Sequence, residues 1–197
     1  YRNQRERTRY LAPSALNTYL SCPLSFYFRY VMGMKEEEDV SSDIDQSVFG
    51  TLFHQAAEMI YKDLTTNGKH IIASDLESLI RNIPLLKKYV DKSFKKVFFK
   101  IPEKEKCIYN GTQLINHHVL TTYLRNLLRT DFRYAPFDMI GMEVPVFEDL
   151  NITADGNTFP IRIGGIIDRM DLKGDILRIV DYKTGHAQDK HKFKNID

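Results

Sequence analysis

Apolar positions recur at helical spacing through the first two thirds of the chain and alternate at strand spacing through much of the last third. Pro13 and Ser14 open the first helical stretch, whose apolar and aromatic spacing runs to about Tyr30. A second helix is predicted from about Ile44 to Thr65, capped by Asp43 or Ser42 and ended by Asn67-Gly68. Further helical patterns cover Ser74 to Asn82, Pro84 to Lys100 and Thr112 to Thr130. Met139 to Leu150, Thr158 to Leu172 and Ile176 to Tyr182 are rich in Ile, Val and Phe and read as strands, with Asn151 to Asn157 as a turn-rich break. Helices first and a meander of antiparallel strands afterwards make an α+β arrangement.

The last two strand patterns carry the chemistry. Gly174-Asp175 is a two-residue turn signal between β-branched runs, so Lys173 faces Ile176. Counting back pair by pair then sets Asp168 opposite Asp181. Like charges in that relation destabilise a sheet, and a divalent cation is the usual compensation. Lys183 shares a face with Asp181 because strand side chains alternate. Carboxylate donors favour Mg²⁺ or Mn²⁺ over Zn²⁺, and a lysine beside a metal-bound water suits phosphodiester hydrolysis. Asp-x-Lys at a strand end also occurs as an exposed charge ladder, so the hairpin alone leaves both readings open.

Composition narrows the class. The chain has 197 residues, 43% of them hydrophobic and 12% aromatic, enough for one domain with a real core. No apolar run approaches the length of a membrane span, and Tyr1 to Arg7 lacks the apolar core of a signal peptide, so cytoplasm is the expected compartment. Cys22 and Cys107 are too few for a disulfide framework, and Cys22 reads as a small buried hydrophobe. The formal charge of +2 excludes an argument for nucleic acid from the whole chain. Locally, Lys87, Lys88, Lys92, Lys95, Lys96 and Lys100 accompany an apolar stripe of Leu86, Tyr89, Val90, Phe94, Val97 and Phe98. That is an amphipathic helix with a basic outer face, either a solvated surface or a track for phosphates. Arg2, Arg5, Arg7 and Arg9 form a basic leader, Glu36 to Asp45 an acidic loop, and His186 to Lys194 a basic tail. His117 and His118 are adjacent on a helix and point about 100° apart, so they do not share a metal.

Three motifs together resemble the PD-(D/E)xK nuclease superfamily, in particular its RecB/AddB exonuclease branch. They are Leu11 to Pro23, ending Tyr19-Leu20-Ser21-Cys22-Pro23; Gly50-Thr51-Leu52-Phe53-His54; and Gly165-Ile166-Ile167-Asp168-Arg169 with Ile179-Val180-Asp181-Tyr182-Lys183-Thr184-Gly185. The resemblance covers nearly the whole chain. It implies an α/β, restriction-endonuclease-like core lacking its C-terminal elements, in a C-terminally truncated domain spanning 1–197. It further implies a Mg²⁺- or Mn²⁺-dependent DNA exonuclease of recombination and repair, acting on single-stranded DNA or free ends alongside a helicase, fused or associated. His54, Asp168, Asp181 and the Tyr182 carbonyl would hold the metal, and Asp168, Asp181 and Lys183 would be catalytic. Gly50, one turn before His54, would let the helix approach the sheet, while Glu58 on the same face would support it and Glu143 would be a further carboxylate or an ordinary strand charge. In some relatives the cysteine of the Cys-Pro step ligates an iron–sulfur cluster, which is expected only of a longer parent chain. The alternative function is a non-catalytic nucleic-acid-binding or interaction module that keeps the nuclease fold.

Overall fold

In the computed structural model the described residues are 10–34 and 44–185. The arginine-rich leader, most of the acidic loop with Ser42 and Asp43, and the basic tail lie outside them. In chain order the elements are α1 (Pro13–Ser21), α2 (Pro23–Phe26), a π-helical turn (Tyr27–Val31), α3 (Gln46–Leu64), β1 (His70–Ile71), α4 (Ala73–Arg81) and α5 (Ile83–Ser93). A second π-helical turn (Phe94–Phe99), α6 (Gly111–Tyr134), β2 (Phe137–Ala154), β3 (Asn157–Lys173) and β4 (Ile176–Val180) follow. The four strands form one sheet in the order β1-β2-β3-β4, with β1–β2 and β3–β4 antiparallel. Helices together with an antiparallel sheet make this the mixed fold that the helix and strand order predicts, in keeping with the restriction-endonuclease-like core that the resemblance implies.

The chain divides into two compact units, and β2 and β3 each run through both. One unit holds 10–34 and Glu143–Ile167. Its parallel bridge joins Leu11 to Ile163, with the Leu11 N–H donating to the Arg162 carbonyl at 2.8 Å. Arg162 grips Asp149 in a two-pronged ion pair at 2.6 and 2.7 Å. The first helical stretch stops at Ser21 instead of continuing to Tyr30. Cys22 precedes a proline, and such residues are pushed out of the helical region; Cys22 is extended at φ −158°. Its exposure corrects the expectation of a buried hydrophobe: Sγ accepts the Ser25 N–H and caps α2.

The other unit holds 44–142 and 168–185 and carries the larger core. Asp45, rather than Asp43 or Ser42, caps α3 by accepting the Val48 N–H at 2.7 Å. Leu52, Phe53, Ala56, Ala57, Ile60 and Tyr61 give α3 a buried stripe with helical spacing. It packs with Leu86, Val90 and Phe94 of the α5 stretch and with Leu120, Leu124 and Leu128 of α6. The strands are longer than the pattern predicts. β2 continues through Asn151, Ile152 and Thr153 to Ala154, and the break is only Asp155-Gly156, both at positive φ, 52° and 77°. Two left-handed residues match the twist of the flanking strands, which is why a two-residue loop closes so long a hairpin.

Candidate functional site

The hairpin register is the one counted from the sequence: Lys173 pairs with Ile176, and the ladder runs back to Arg169 opposite Val180. Asp168 and Asp181 follow just beyond that last pair. From there the chain leaves the regular ladder, and Tyr182 becomes the organising residue.

Tyr182 uses its whole backbone. Its N–H donates to Asp168 Oδ2 at 2.6 Å. Its carbonyl lies 3.0 Å from His54 Nε2, and because a carbonyl only accepts, Nε2 is the protonated nitrogen. The other ring nitrogen, Nδ1, faces Asp168 Oδ1 at 3.6 Å. Two electron-rich atoms so placed are stabilised by a cation between them, and neighbouring ligands around Mg²⁺ stand about 3 Å apart given its bonds of about 2.0–2.1 Å. His54 Nδ1 and Asp168 Oδ1 therefore form a donor pair that fits a divalent metal, while the Tyr182 carbonyl holds the imidazole from its far nitrogen. The side chains of His54 and Asp168 are 28% and 13% exposed, so the site is partly shielded yet still reachable from solvent.

α3 delivers the imidazole. His54 follows the buried Phe53, whose ring meets the Tyr182 ring edge-on at 5.6 Å. Gly50, one turn earlier, has Thr184 against it: a Cβ there would come within 3.3 Å of Thr184 Oγ1. The close approach expected of Gly50 is thus made to the segment just after Lys183. Glu58 is engaged elsewhere, with Lys62 at 2.5 Å and Gln55 at 2.9 Å. Glu143 is the first residue of the other unit's part of β2, with a left-handed φ of 50°.

Asp181 and Lys183 differ from the first group in exposure. Their side chains are 62% and 67% exposed and join each other at 2.9 Å. The alternation that places them on one face holds. Tyr182 between them is buried on the opposite side.

Beneath Tyr182 lies a cluster absent from the sequence reading. Arg169, fully buried, donates to Asp131 at 2.5 Å and to Asp171 at 2.9 Å. Arg178 adds bonds to both carboxylates, at 2.9 Å and 2.8 Å to Asp171 and 3.3 Å to Asp131. The Tyr61 hydroxyl also donates to Asp131. The Arg169 guanidinium stacks over the Tyr61 ring at 4.5 Å and reaches the Tyr182 hydroxyl at 3.4 Å. Burial opposes ionisation of Arg169, yet the surrounding tyrosines and Asp131 hold its affinity for the proton above the ordinary value. Burial pushes the Tyr182 hydroxyl up to about 12, partly offset by Arg169. A sequence signal for the cluster exists: the same register that pairs Lys173 with Ile176 sets Asp171 opposite Arg178, an opposite-charge pair.

With this geometry in view, the comparison with known families is decisive, since the family model of the PD-(D/E)XK nucleases matches residues 10–195. The chain belongs to the PD-(D/E)XK nuclease superfamily. Nucleases of this superfamily use divalent metal ions. Among curated relatives, the chain is 27% identical to an ATP-dependent helicase/deoxyribonuclease subunit of Carboxydothermus hydrogenoformans, across 89% of this chain and 16% of that protein. It is 25% identical to the identically named protein of Ruminiclostridium cellulolyticum, across 92% of this chain and again 16% of the relative. This PD-(D/E)XK chain thus spans about a sixth of the length of the curated relatives it matches. No helix among the described residues is long and apolar enough to cross a membrane.

Proposed function

We propose that this PD-(D/E)XK chain is a metal-dependent DNA exonuclease module that hydrolyses phosphodiester bonds, working with a helicase in recombination and repair in the cytoplasm. The carrying observation is the convergence of His54, Asp168 and Tyr182 through two backbone bonds and one 3.6 Å approach. His54, Asp168 and Asp181 are the proposed ligands of Mg²⁺ or Mn²⁺, and the Tyr182 carbonyl, expected among them, instead accepts from His54 Nε2 and orients the imidazole. When bound, such an ion polarises a phosphoryl oxygen and acidifies a water.

The protein's own groups do the rest. The Tyr182 amide fixes one oxygen of Asp168, so the other is turned to His54 with little rotamer freedom. His54 is anchored through Nε2, which fixes its tautomer and directs Nδ1 at the site. Lys183 presents a compact ammonium to solvent, where a DNA phosphate arrives, and Asp181 holds it by a single oxygen. A charge so held stabilises the negative charge that gathers on the phosphoryl group as the bond breaks. The relatives' names support the helicase partner, and exonucleolytic action on single strands or free ends completes the proposal.

A second reading is a non-catalytic nucleic-acid-binding module. The exposed Asp181–Lys183 pair favours it, since these two groups engage each other. One experiment separates the readings. The purified chain should cleave linear DNA with Mg²⁺ or Mn²⁺, lose cleavage with chelator, and lose it in Asp181→Ala and Lys183→Ala with unchanged melting. Millimolar Mn²⁺ should raise the melting temperature of the parent but not of Asp168→Ala. Cleavage that survives either substitution would refute the assigned mechanism, and inactivity of the parent despite a Mn²⁺ shift would favour the binding module.

A further inference from the structure

A cavity of about 500 Å³ opens between α3 and the end of the α5 stretch, lined by Met59, Lys92, Lys95, Lys96, Lys100, Ile101 and Glu103. Four lysines and one glutamate give its wall a net charge of +3, and the volume falls in the range of ligand-binding clefts. Two of the lysines are engaged. Lys92 pairs with the Glu103 carboxylate at 2.9 Å, and Lys95 donates to the Glu103 carbonyl at 2.6 Å. Lys96 and Lys100 have no ion-pair partner among the described residues.

The backbone that presents them is unusual. Phe94–Phe99 is a π-helical turn, and it ends at Lys100 with φ 52°, a left-handed conformation that is unfavourable for a residue with a Cβ. Glycine takes that position freely in many helix ends. A lysine held there at a conformational cost, in the wall of a cavity, points to a role for its charge.

We infer that this cleft binds consecutive phosphates of a single DNA strand. The inference rests on the nuclease reading for the identity of the polyanion. Lysines are point charges on flexible stems, suited to a phosphate chain that must slide, whereas fixed bidentate recognition would call for arginine. Met59 and Ile101 supply apolar wall beside the charges, matching the mixed character of a strand with sugars and bases exposed. The cleft also shares an element with the candidate metal site. Met59 lies beyond His54 on α3 by little more than one turn, roughly 7.5 Å along its axis.

The test measures binding of the full chain to a fluorescent single-stranded oligothymidylate in chelator, across a salt series, so that hydrolysis plays no part. For single strands each neutralised phosphate contributes about 0.7 to the slope of log K against log salt. Lys96→Ala/Lys100→Ala should lower that slope by about 1.4, and Lys100→Gly by about 0.7 with no loss of melting temperature. Lys87→Ala/Lys88→Ala, on α5 but outside the cavity wall, should leave it unchanged. An unchanged slope in folded Lys100→Gly, or an equal fall in the Lys87/Lys88 variant, would overturn the cleft. A nucleoside triphosphate that binds in the cavity and is not displaced by the oligonucleotide would overturn its assignment to a strand. A slope change without metal-dependent cleavage by the parent would uphold the cleft and remove the nuclease reading.

Discussion

Asp131 is buried at the meeting point of Tyr61, Arg169 and Arg178, and its charge answers two guanidinium groups. Removing one member of a buried ionic group strands its partners in a low-dielectric interior, at a typical cost of about 3–5 kcal/mol. Asp131→Asn should lose stability of that order in urea denaturation, while exchanging Asp149, exposed on its strand with Arg162, should cost under about 1 kcal/mol. The same residues show where reading a sequence stops. Asp168, Asp181 and Lys183 stand out in the sequence because acids and a lysine on one hairpin are written in local spacing, whereas His54 enters only through the family resemblance, since a lone helical histidine carries no such signal. The burial of Arg169 escapes such reading because charged residues are nearly always exposed and its partner Asp131 is distant in the chain, while Asp171 beside it is held by Arg169 and Arg178.

At the level of elements, the long hairpin depends on one glycine. Gly164 on β3 takes φ 156°, and a Cβ there would lie 2.2 Å from the Val146 carbonyl oxygen and 2.8 Å from the Phe147 Cα. Those obstacles are backbone, which cannot turn aside as a side chain can. Gly164→Ala should therefore break the β2–β3 pairing in the unit that contains it, exposing the amides of 144–152 and 159–166 to fast hydrogen exchange while those of α3 and α6 keep their protection. Helix positions are plain in the sequence, since α3, α4, α5 and α6 all follow apolar stripes of period 3.6. Punctuation is harder. Cys22-Pro23 breaks a pattern that remains apolar on both sides, and the polar run from Asn151 looks like a loop although only Asp155-Gly156 turns. The two-residue β1 has no periodicity to read and exists because β2 offers it a partner.

Across the whole molecule, the fold class is legible because helices precede strands in the chain, whereas the division into two units is not: β2 and β3 are continuous in sequence and carry no linker where they pass from one unit to the other. The larger unit has a repeated device, a tyrosine hydroxyl handed to an aspartate on another segment. Tyr61 meets Asp131, Tyr89 meets Asp63 at 2.7 Å, and Tyr109 meets Asp91 at 2.6 Å. Burial is the largest cause raising the proton affinity of each, and of Tyr182 as well. A group whose affinity is raised by folding stabilises fully below its unfolded value, near 10, and that contribution is lost as pH climbs through the folded value, about 12 for Tyr182. The protein contains eleven tyrosines and no tryptophan, so its near-ultraviolet spectrum is dominated by tyrosine. An alkaline titration should then show a late tyrosinate component of about four in eleven, arriving together with the loss of helical circular dichroism. Four hydroxyls that ionised before the helices melted would show that the interior is wetter than its packing implies.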